Sequence, residues 1–497
     1  MSVTDPIRFA RRWSVLRGIS AFSLAWGLRF VVGLAVSIAL YRYFGASNMG
    51  VLAIATSVVG LMTFIIIETE MVVVSRLAGT TPAATKRVVT ANYAVKMLNR
   101  AAVAALLIGG ASFVETFYRL DGLAAMLGVL AAGQMIAVLY GPVGPEVLQG
   151  LRRYRQFAVQ SAIALGGQVA AVVVTMLSQQ GLLAYLVYGV VFEAAASVYG
   201  WHLYWSLRAQ EGWSSIRVGR ADVWAEAVSL VRASIPVSLN QLLFKSYLYL
   251  ANLFAGRWYE PAVVGYLSFA SNVINRANST ANATLSTVFL PFFTELKAKQ
   301  RDELRELYER GYHTLLLFSG TATVSLALFA KEVTVLIGGS QFLPAVILLQ
   351  LLSLQLVFRL PLQVLRMVYF AFERTWALFW VFAIKTASEI ALILLLTRWF
   401  DVRGIVLAQV GAYAIYAGLF AAVGFRLVYG DWLARTGELG RDLGVLVAFT
   451  GGVILIDLTF APSLLQKLVI TATGLAATAL WVRAGQVSGR RLYLLGR

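Results

Sequence analysis

Residues 41–60 read YRYFGASNMGVLAIATSVVG, and this stretch decides how the rest of the chain is interpreted. A short turn around Gly45 and Asn48 separates the apolar run before it from the apolar run after it. Residues 259–270, YEPAVVGYLSFA, repeat the pattern in the second half of the sequence. The two copies predict an internal repeat in which each turn opens the next apolar helix.

Two further matches support the repeat. Residues 155–158, RQFA, align with residues 374–377, RTWA, and Pro142 aligns with Pro361. Because the matches follow in one order at nearly one spacing, six helices of the first half are predicted to recur in the second. An even number of helices per unit gives both units the same orientation. We therefore expect two pseudo-symmetric six-helix lobes around a central cavity, with two helices added at the C-terminus.

The composition is typical of a membrane protein. Of 497 residues, 59% are hydrophobic and 13% are charged, about half the charged fraction of a soluble protein. With no cysteine and two distant histidines, neither a disulfide, a thiol nucleophile, a metal site nor a cofactor is expected. Fourteen apolar stretches approach the length of about 20 residues that crosses a bilayer. They are Ser20–Tyr41, Gly50–Ser75, Val89–Val114, Leu123–Leu139, Phe157–Leu177, Leu182–Trp205, Ala233–Phe254, Ala262–Phe292, Tyr312–Ala330, Leu343–Phe370, Trp376–Thr397, Gly404–Val423, Leu443–Thr459 and Leu465–Val482. The predicted fold is an all-α polytopic membrane protein of about 14 transmembrane helices.

The net charge of +18 is explained by topology and needs no nucleic acid. Lys and Arg are several times more frequent in one set of alternate connections than in the other, which places both termini in the cytoplasm. The predicted organisation follows from these spans. It comprises a cytoplasmic interfacial lead-in (1–19), an N-lobe (20–206), a cytoplasmic linker (207–232), a C-lobe (233–424), and two additional helices with a cytoplasmic tail (425–497).

Several cations fall well inside the predicted helices, where each costs about 2.5–3.5 kcal/mol to insert. They should therefore line a hydrated cavity or pair with acids, and Lys385 is expected to pair with Glu389 one turn away. Arg29 and Lys245 occupy nearly equivalent positions of the two repeats, as two cations facing one polyvalent anion would require. The predicted cationic cavity consists of Arg29, Lys96, Arg100, Lys245, Arg276 and Arg359.

Polar side chains recur every three or four residues on some of these helices, so each set forms one stripe. Such stripes either bond to neighbouring helices or line a cavity. The predicted polar lining is Gln241, Tyr249, Asn272, Asn275 and Asn282. Glu68, Glu70 and Glu193 are candidates for ion or proton coupling.

With these features the chain resembles the multidrug/oligosaccharidyl-lipid/polysaccharide exporter superfamily, and within it the polysaccharide (O-antigen-type) lipid flippases. The likeness lies in residues 41–60 with VSRLA at 74–78, in ASIPV at 233–237, and in VVGYLSFASNV at 263–273 with LPFFTEL at 290–296. The resemblance implies alternating access in a bacterial cell membrane. It also implies flipping of an undecaprenyl-pyrophosphate-linked oligosaccharide to the outer leaflet, for O-antigen, exopolysaccharide or capsule export.

Alternatives remain open at this point. A lipid II flippase for peptidoglycan synthesis would share the helices and the cationic cavity. A cation-coupled multidrug exporter of the same fold would need acids in its cavity, and the basic excess disfavours it. An enzyme is not expected, because the outer loops are short and no GxxxxGK[ST] loop is present. The expected partners are the lipid-linked oligosaccharide, membrane lipid, and the polymerase and glycosyltransferases of the same pathway, while a monomer suffices to form the route.

Overall fold

The computed structural model describes residues 6–62, 67–77, 80–139, 141–210, 212–213, 215–296, 301–372, 374–431, 436–460, 462–463 and 465–473. This part of the chain is helical without strands, which confirms the predicted all-α class. The helices are α1 (Pro6–Met62), α2 (Glu70–Leu77), α3 (Pro82–Tyr118), α4 (Leu123–Leu139), α5 (Pro145–Gly150), α6 (Tyr154–Leu177), α7 (Leu182–Gln210), α8 (Arg220–Trp258), α9 (Pro261–Leu296), α10 (Arg301–Leu328), α11 (Ala330–Gly338), α12 (Ala345–Arg359), α13 (Gln363–Ala371), α14 (Thr375–Tyr429) and α15 (Thr436–Phe460). Residues 465–473 are also helical.

The chain forms two compact units, Met1–Leu242 and Leu243–Arg497. In the first unit α3 packs along α4, α6 packs along α7, and α1 packs against α6. In the second unit α12 is central and contacts α9, α10 and α14. Each unit has its own apolar core, which contains the fully buried Trp213 in the first unit and Tyr369 stacked on Phe420 in the second.

The longest helix of the second unit, α14, is two antiparallel helices joined at Asp401. Asp401 has a φ of 49° and a ψ of −137°, which interrupts the helix. The rings of Phe382 and Tyr416 stack with centroids 5.4 Å apart, whereas a straight helix would separate these residues by about 50 Å. The chain therefore reverses between the predicted spans Trp376–Thr397 and Gly404–Val423, as their separation in the sequence indicates.

The predicted second span, Gly50–Ser75, is wrong as a single helix. α1 includes the break at Gly45, whose φ of 73° favours glycine, and ends at Met62; α2 begins only at Glu70, after three non-helical residues. In that gap the Thr69 hydroxyl donates to Asn92 Oδ1 at 2.5 Å. Short polar side chains that bond elsewhere compete with helix formation, and a count of apolar residues overlooks this competition.

Bends divide two further apolar stretches. The predicted span Leu343–Phe370 is broken into α12 and α13, which meet at 44° around Pro361, a residue without an N–H group to continue the helix. α10 and α11 meet at 70°. By length and hydropathy, six of the described helices can cross a membrane, or eight if each bent pair is one span. The total of fourteen stays a prediction.

The predicted linker 207–232 is packed against the first unit. Its second part belongs to α8, which begins at Arg220. Its first part is fixed by Lys86 of α3, whose Nζ donates to the carbonyl oxygens of Trp213 and Ile216, each at 2.7 Å. The described residues of this segment therefore belong to the first unit, which also contains the candidate site residues Lys96 and Arg100.

Candidate functional site

Lys96 of α3 lies in a cluster of polar groups inside the first unit. Its Nζ donates to Glu146 Oε1 at 2.7 Å, and Nδ2 of Asn92, one turn earlier, donates to the same oxygen at 3.0 Å. Thr69 completes the chain of bonds through Asn92 Oδ1. The Lys96 side chain is 34% exposed, and that of Glu146 is 3% exposed. The predicted stripe on α3 thus meets a carboxylate that the sequence analysis missed.

Glu146 is positioned by the connection between α4 and α6. Pro145 begins the short helix α5, and Gly144 before it lies so close to the carboxylate that a Cβ there would be 2.6 Å from Glu146 Oε2. Burial raises the pKa of Glu146, but the charge and hydrogen bond of Lys96 and the Asn92 amide outweigh it and hold that pKa below its usual value. Glu146 is therefore a carboxylate at neutral pH, and its contact with Lys96 is an ion pair.

Arg100 lies one turn beyond Lys96 and has a neutral partner. Its Nη1 donates to Gln134 Oε1 of α4, and the Arg100 side chain is half-buried. Among the described residues, no carboxylate lies within ion-pair distance of Arg100. The guanidinium charge is therefore solvated by an amide and not neutralised by an acid, although it lies on an apolar helix.

Arg359 is a buried cation of the second unit, at the end of α12. Its Nη1 donates to Asn275 Oδ1 at 3.1 Å and to Gln355 Oε1 at 3.5 Å. Its guanidinium carbon lies 5.0 Å from the centroid of the Tyr413 ring. Gln355 in turn donates to Gln409 Oε1 at 3.1 Å. Two predicted site residues, Arg359 and Asn275, are thus brought together. For Gln355, Gln409 and Tyr413, the sequence shows only that they are polar residues on an apolar helix, which does not predict their place in this network.

Another buried cation of this unit is Lys385. It forms an ion pair with Glu389 at 2.5 Å, with side-chain exposures of 2% and 0%, which confirms the pairing predicted from their spacing. Lys385 Nζ also lies 4.7 Å from the centroid of the Tyr413 ring. The Tyr413 ring therefore contacts two cations, Arg359 and Lys385.

Other candidate residues are more dispersed. Arg276 of α9 and Gln241 and Tyr249 of α8 are half-buried, whereas Asn272 is exposed and its Nδ2 donates to Ser268 Oγ at 3.4 Å. The side chains of Arg29, Lys245 and Asn282 lie outside the described part of the structure.

The three candidate coupling acids differ in location. Glu68 is half-buried beside the break before α2, and its backbone N–H donates to Ser238 Oγ at 2.8 Å. Glu70 is exposed in the first turn of α2, and Glu193 is exposed on α7. Within the described ranges, no group of three or more His, Asp or Glu could hold a metal ion.

Comparisons with known proteins agree on family and fold. The family described as polysaccharide biosynthesis protein matches residues 39–347, more than half of the chain. No curated protein matches the sequence significantly.

Solved structures with this fold include transporters of two kinds. Lipid II flippase MurJ in an inward closed conformation is 14% identical, with a TM-score of 0.69 over 94% of this chain and 99% of that one. An inward-facing multidrug resistance transporter of the MATE family, in the MOP superfamily, is 14% identical, with a TM-score of 0.65 over 85% and 99%. The eukaryotic MATE transporter AtDTX14 is 14% identical, with a TM-score of 0.58 over 86% and 99%. Such similarity shows a shared fold.

Proposed function

The chain belongs to the polysaccharide biosynthesis protein family, and we propose that it is a flippase for an undecaprenyl-pyrophosphate-linked oligosaccharide. The substrate moves from the inner to the outer leaflet of a bacterial cell membrane by alternating access, and both termini of the chain are cytoplasmic. The fold that the chain shares with solved flippases and exporters of the MOP superfamily supports transport as the activity.

The observation that carries the substrate class is the environment of Arg100. A guanidinium on an apolar helix without an ion-pair partner in the described part of the chain is available to an anion. Lys96 lies one turn away, and its side chain is partly exposed although it forms an ion pair with Glu146. Arg and Lys together offer the charge and the multiple donors that a pyrophosphate requires.

The proposed sequence of events uses the Lys96–Glu146 pair as a neutral resting state. A pyrophosphate that reaches Arg100 competes with Glu146 for Lys96, and Glu146 recovers Lys96 when the substrate leaves. Arg29, Lys245, Arg276 and Arg359 are proposed to extend the cationic surface, and the Asn, Gln and Tyr side chains to bond sugar hydroxyls. An inside-negative potential favours outward movement of an anion by about 2.3 kcal/mol per charge per 100 mV, so voltage can drive part of the movement without a bound ATPase.

Flipping of a labelled undecaprenyl-pyrophosphate oligosaccharide in proteoliposomes tests the proposal. Arg100→Gln should slow flipping at least about tenfold, the change that 1.4 kcal/mol of barrier produces, and Arg100→Lys should keep part of the rate. Arg153→Gln is the matched control, because Arg153 also donates to a glutamine, Gln210, but at 2.8 Å on the surface. It should flip at the unaltered rate.

Two results would contradict parts of the proposal. Unchanged flipping by Arg100→Gln with loss in an Arg29→Ala/Lys245→Ala variant would move the anion site to the predicted symmetric pair. Flipping of lipid II, but of no other saccharide lipid tried, would replace the proposed substrate with the peptidoglycan precursor.

A further inference from the structure

The beginning of α8 presents one of its sides to the surroundings. Exposed residues recur there every three or four positions, which is the spacing of a single side of a helix. They are Ala221, Trp224, Ala225, Val228, Arg232 and Ile235, here called the α8 face. On the other side of the helix, Ala227 and Leu230 are buried in the apolar core of the first unit. No residue of the α8 face belongs to the proposed substrate site, so the face needs an explanation of its own.

The α8 face carries large apolar side chains. Trp224 is 69% exposed, and Val228 is also exposed. The face leads into the predicted span Ala233–Phe254, and tryptophan is enriched where a membrane meets water. Pro236 has no N–H group to bond to the carbonyl of Arg232, so the turns before it need not follow the direction of the span. These turns can therefore lie along the surface of the bilayer.

Three exposed arginines lie on or beside the α8 face. Arg217 precedes the helix, Arg220 begins it, and Arg232 belongs to the face. Among the described residues, no carboxylate lies within ion-pair distance of any of the three. Arg220 and Arg232 are about 18 Å apart along the helix axis, which is too far for them to share one small anion.

The acids of this part of α8 offset little of the positive charge. Glu226 is turned towards the first unit, where its carboxylate oxygens lie 2.5 Å from Arg76 Nη1 and 3.2 Å from Arg87 Nε. One carboxylate with 13% exposure thus already serves two other arginines. Asp222 is exposed in the first turn of α8, where the helix dipole stabilises a negative charge. It is one acid against three arginines, so the outward side of α8 combines apolar side chains with an excess of positive charge.

The combination of charge and apolar surface indicates which kind of anion fits. The distribution of Lys and Arg predicts that this end of α8 faces the cytoplasm, and the cytoplasmic leaflet contains anionic lipids. Basic helices with tryptophan on the apolar side lie in the membrane interface and are attracted by such lipids. A soluble acidic partner would match the arginines. However, Ile235 continues the α8 face into the predicted span, which a soluble partner does not reach.

We propose that the α8 face binds the headgroups of anionic phospholipids in the cytoplasmic leaflet. Trp224 and Val228 lie at the level where headgroups meet acyl chains, and the guanidinium groups donate to phosphate oxygens in forked pairs. A zwitterionic headgroup places its own cation beside the phosphate, so that cation competes with the arginines and the headgroup binds more weakly. The site does not depend on the proposed flippase activity, since it involves neither Lys96 nor Arg100.

A fluorescent probe at one position tests the proposal, because the chain contains no cysteine. An environment-sensitive fluorophore is attached to Ala225→Cys, in the middle of the α8 face, and the full chain is placed in lipid nanodiscs. Emission should move to shorter wavelength when phosphatidylglycerol replaces about one-third of the phosphatidylcholine, because the arginines then draw the face into the interface. Equal emission in the two lipid compositions would overturn the proposal.

Charge variants locate the site. Arg217→Gln/Arg220→Gln/Arg232→Gln should reduce the response to phosphatidylglycerol at least about threefold, because the arginines supply the attraction. Arg398→Gln/Arg403→Gln is the matched control, since these arginines are also exposed and lie beside an exposed tryptophan, but are predicted on the opposite side of the membrane. The control should respond like the unaltered chain. A response that survives in the triple variant, or that is lost equally in the control, would overturn the proposal.

A second measurement separates lipid from protein partners. Phosphatidylglycerol added to the chain in detergent should raise the melting temperature more than phosphatidylcholine does, since a ligand of the folded state stabilises it. The triple variant should lose this difference. Poly-L-glutamate carries negative charge without acyl chains and should leave the probe at position 225 unchanged. A probe that responds to poly-L-glutamate but not to phosphatidylglycerol would assign the α8 face to a soluble acidic partner and overturn the proposal.

Discussion

Lys96 in the first unit and Lys385 in the second are both ammonium groups on apolar helices, but their counterions differ in origin. Glu389 is one turn from Lys385 on the same helix, and the pair is almost completely buried. Glu146 reaches Lys96 from another helix, and Lys96 is one-third exposed. The Lys385–Glu389 pair is therefore local and buried, whereas the Lys96–Glu146 pair is distant in sequence and partly exposed.

The difference indicates which pair could exchange its partner in the transport that we propose. Two residues on one turn of a helix move as one body, so the Lys385–Glu389 contact survives any movement of that helix. The Lys96–Glu146 contact joins α3 to the short α5 and breaks if either element moves or if a stronger anion arrives. We therefore assign a structural role to the pair in the second unit and an exchangeable role to the pair in the first.

The largest effect is expected from Lys385→Met. Removal of one partner from a buried pair leaves an uncompensated charge, which typically costs about 3–5 kcal/mol. In this variant the Glu389 carboxylate would lose the Lys385 ammonium and, because it is fully buried, would have no contact with water. The melting temperature in detergent should therefore fall markedly. Lys331→Met is the matched control, because Lys331 is exposed, and it should melt like the unaltered protein.

A double variant separates charge burial from other effects of the Lys385 substitution. Lys385→Met/Glu389→Leu removes both charges, and apolar replacement of a buried pair is often neutral or stabilising. Most of the lost stability should therefore return. A double variant that is less stable than either single variant would show that the pair itself contributes to stability and that the comparison is misjudged.

A smaller effect is expected from Glu146→Gln. In this variant the partly exposed Lys96 ammonium can be hydrated, and the Asn92 amide can donate to the amide oxygen of the new glutamine. The free energy of unfolding should fall by about 1.5–3 kcal/mol, the usual contribution of a hydrogen bond to a charged group. The same melting experiment measures it, and a loss as large as that of Lys385→Met would contradict the view that the Lys96–Glu146 pair is exchangeable.

The two pairs also differ in how far the sequence predicts them. The spacing of four residues between Lys385 and Glu389 predicts their contact, because helical geometry places such residues on one face. Nothing comparable links Lys96 to Glu146, since the contact depends on how α3 and α5 pack. One signal was available, namely an acid directly after a proline in a connection between two apolar helices.

The same limit applies to the fold. Hydropathy predicts the all-α class and the two antiparallel helices of α14, because both depend on long apolar runs. It does not predict the interruption before α2, where Thr69 bonds to Asn92 of a different helix. It also does not predict that Arg359 and Lys385 share the ring of Tyr413. These contacts arise from tertiary packing, which periodicity along one helix does not record.

Acidification should sharpen the contrast further. The pKa of Glu146 in the folded protein lies below its usual value, while an unfolded glutamate has a pKa of about 4.3. The stabilisation by this carboxylate is therefore complete above about pH 4.3 and is lost as the pH falls towards the folded pKa. The difference in melting temperature between the unaltered protein and Glu146→Gln should be constant from pH 8 to about pH 5 and should narrow below that range. A difference that stays constant down to pH 3.5 would show that the charge of Glu146 is not its source.

The smallest effect is expected from Glu306→Gln, which tests whether spacing alone makes a pair important. Glu306 and Arg310 have the same four-residue spacing as Lys385 and Glu389 and form an ion pair, but their side chains are 60% and 67% exposed. Because water screens exposed pairs, the loss of unfolding free energy should be less than about 0.5 kcal/mol. Addition of 0.5 M salt should change the melting temperatures of the variant and of the unaltered protein by the same amount. If Glu306→Gln instead lowered the melting temperature as much as Glu146→Gln does, burial would not be what separates the pairs. The structural role of the Lys385–Glu389 pair would then have to rest on its contact with Tyr413.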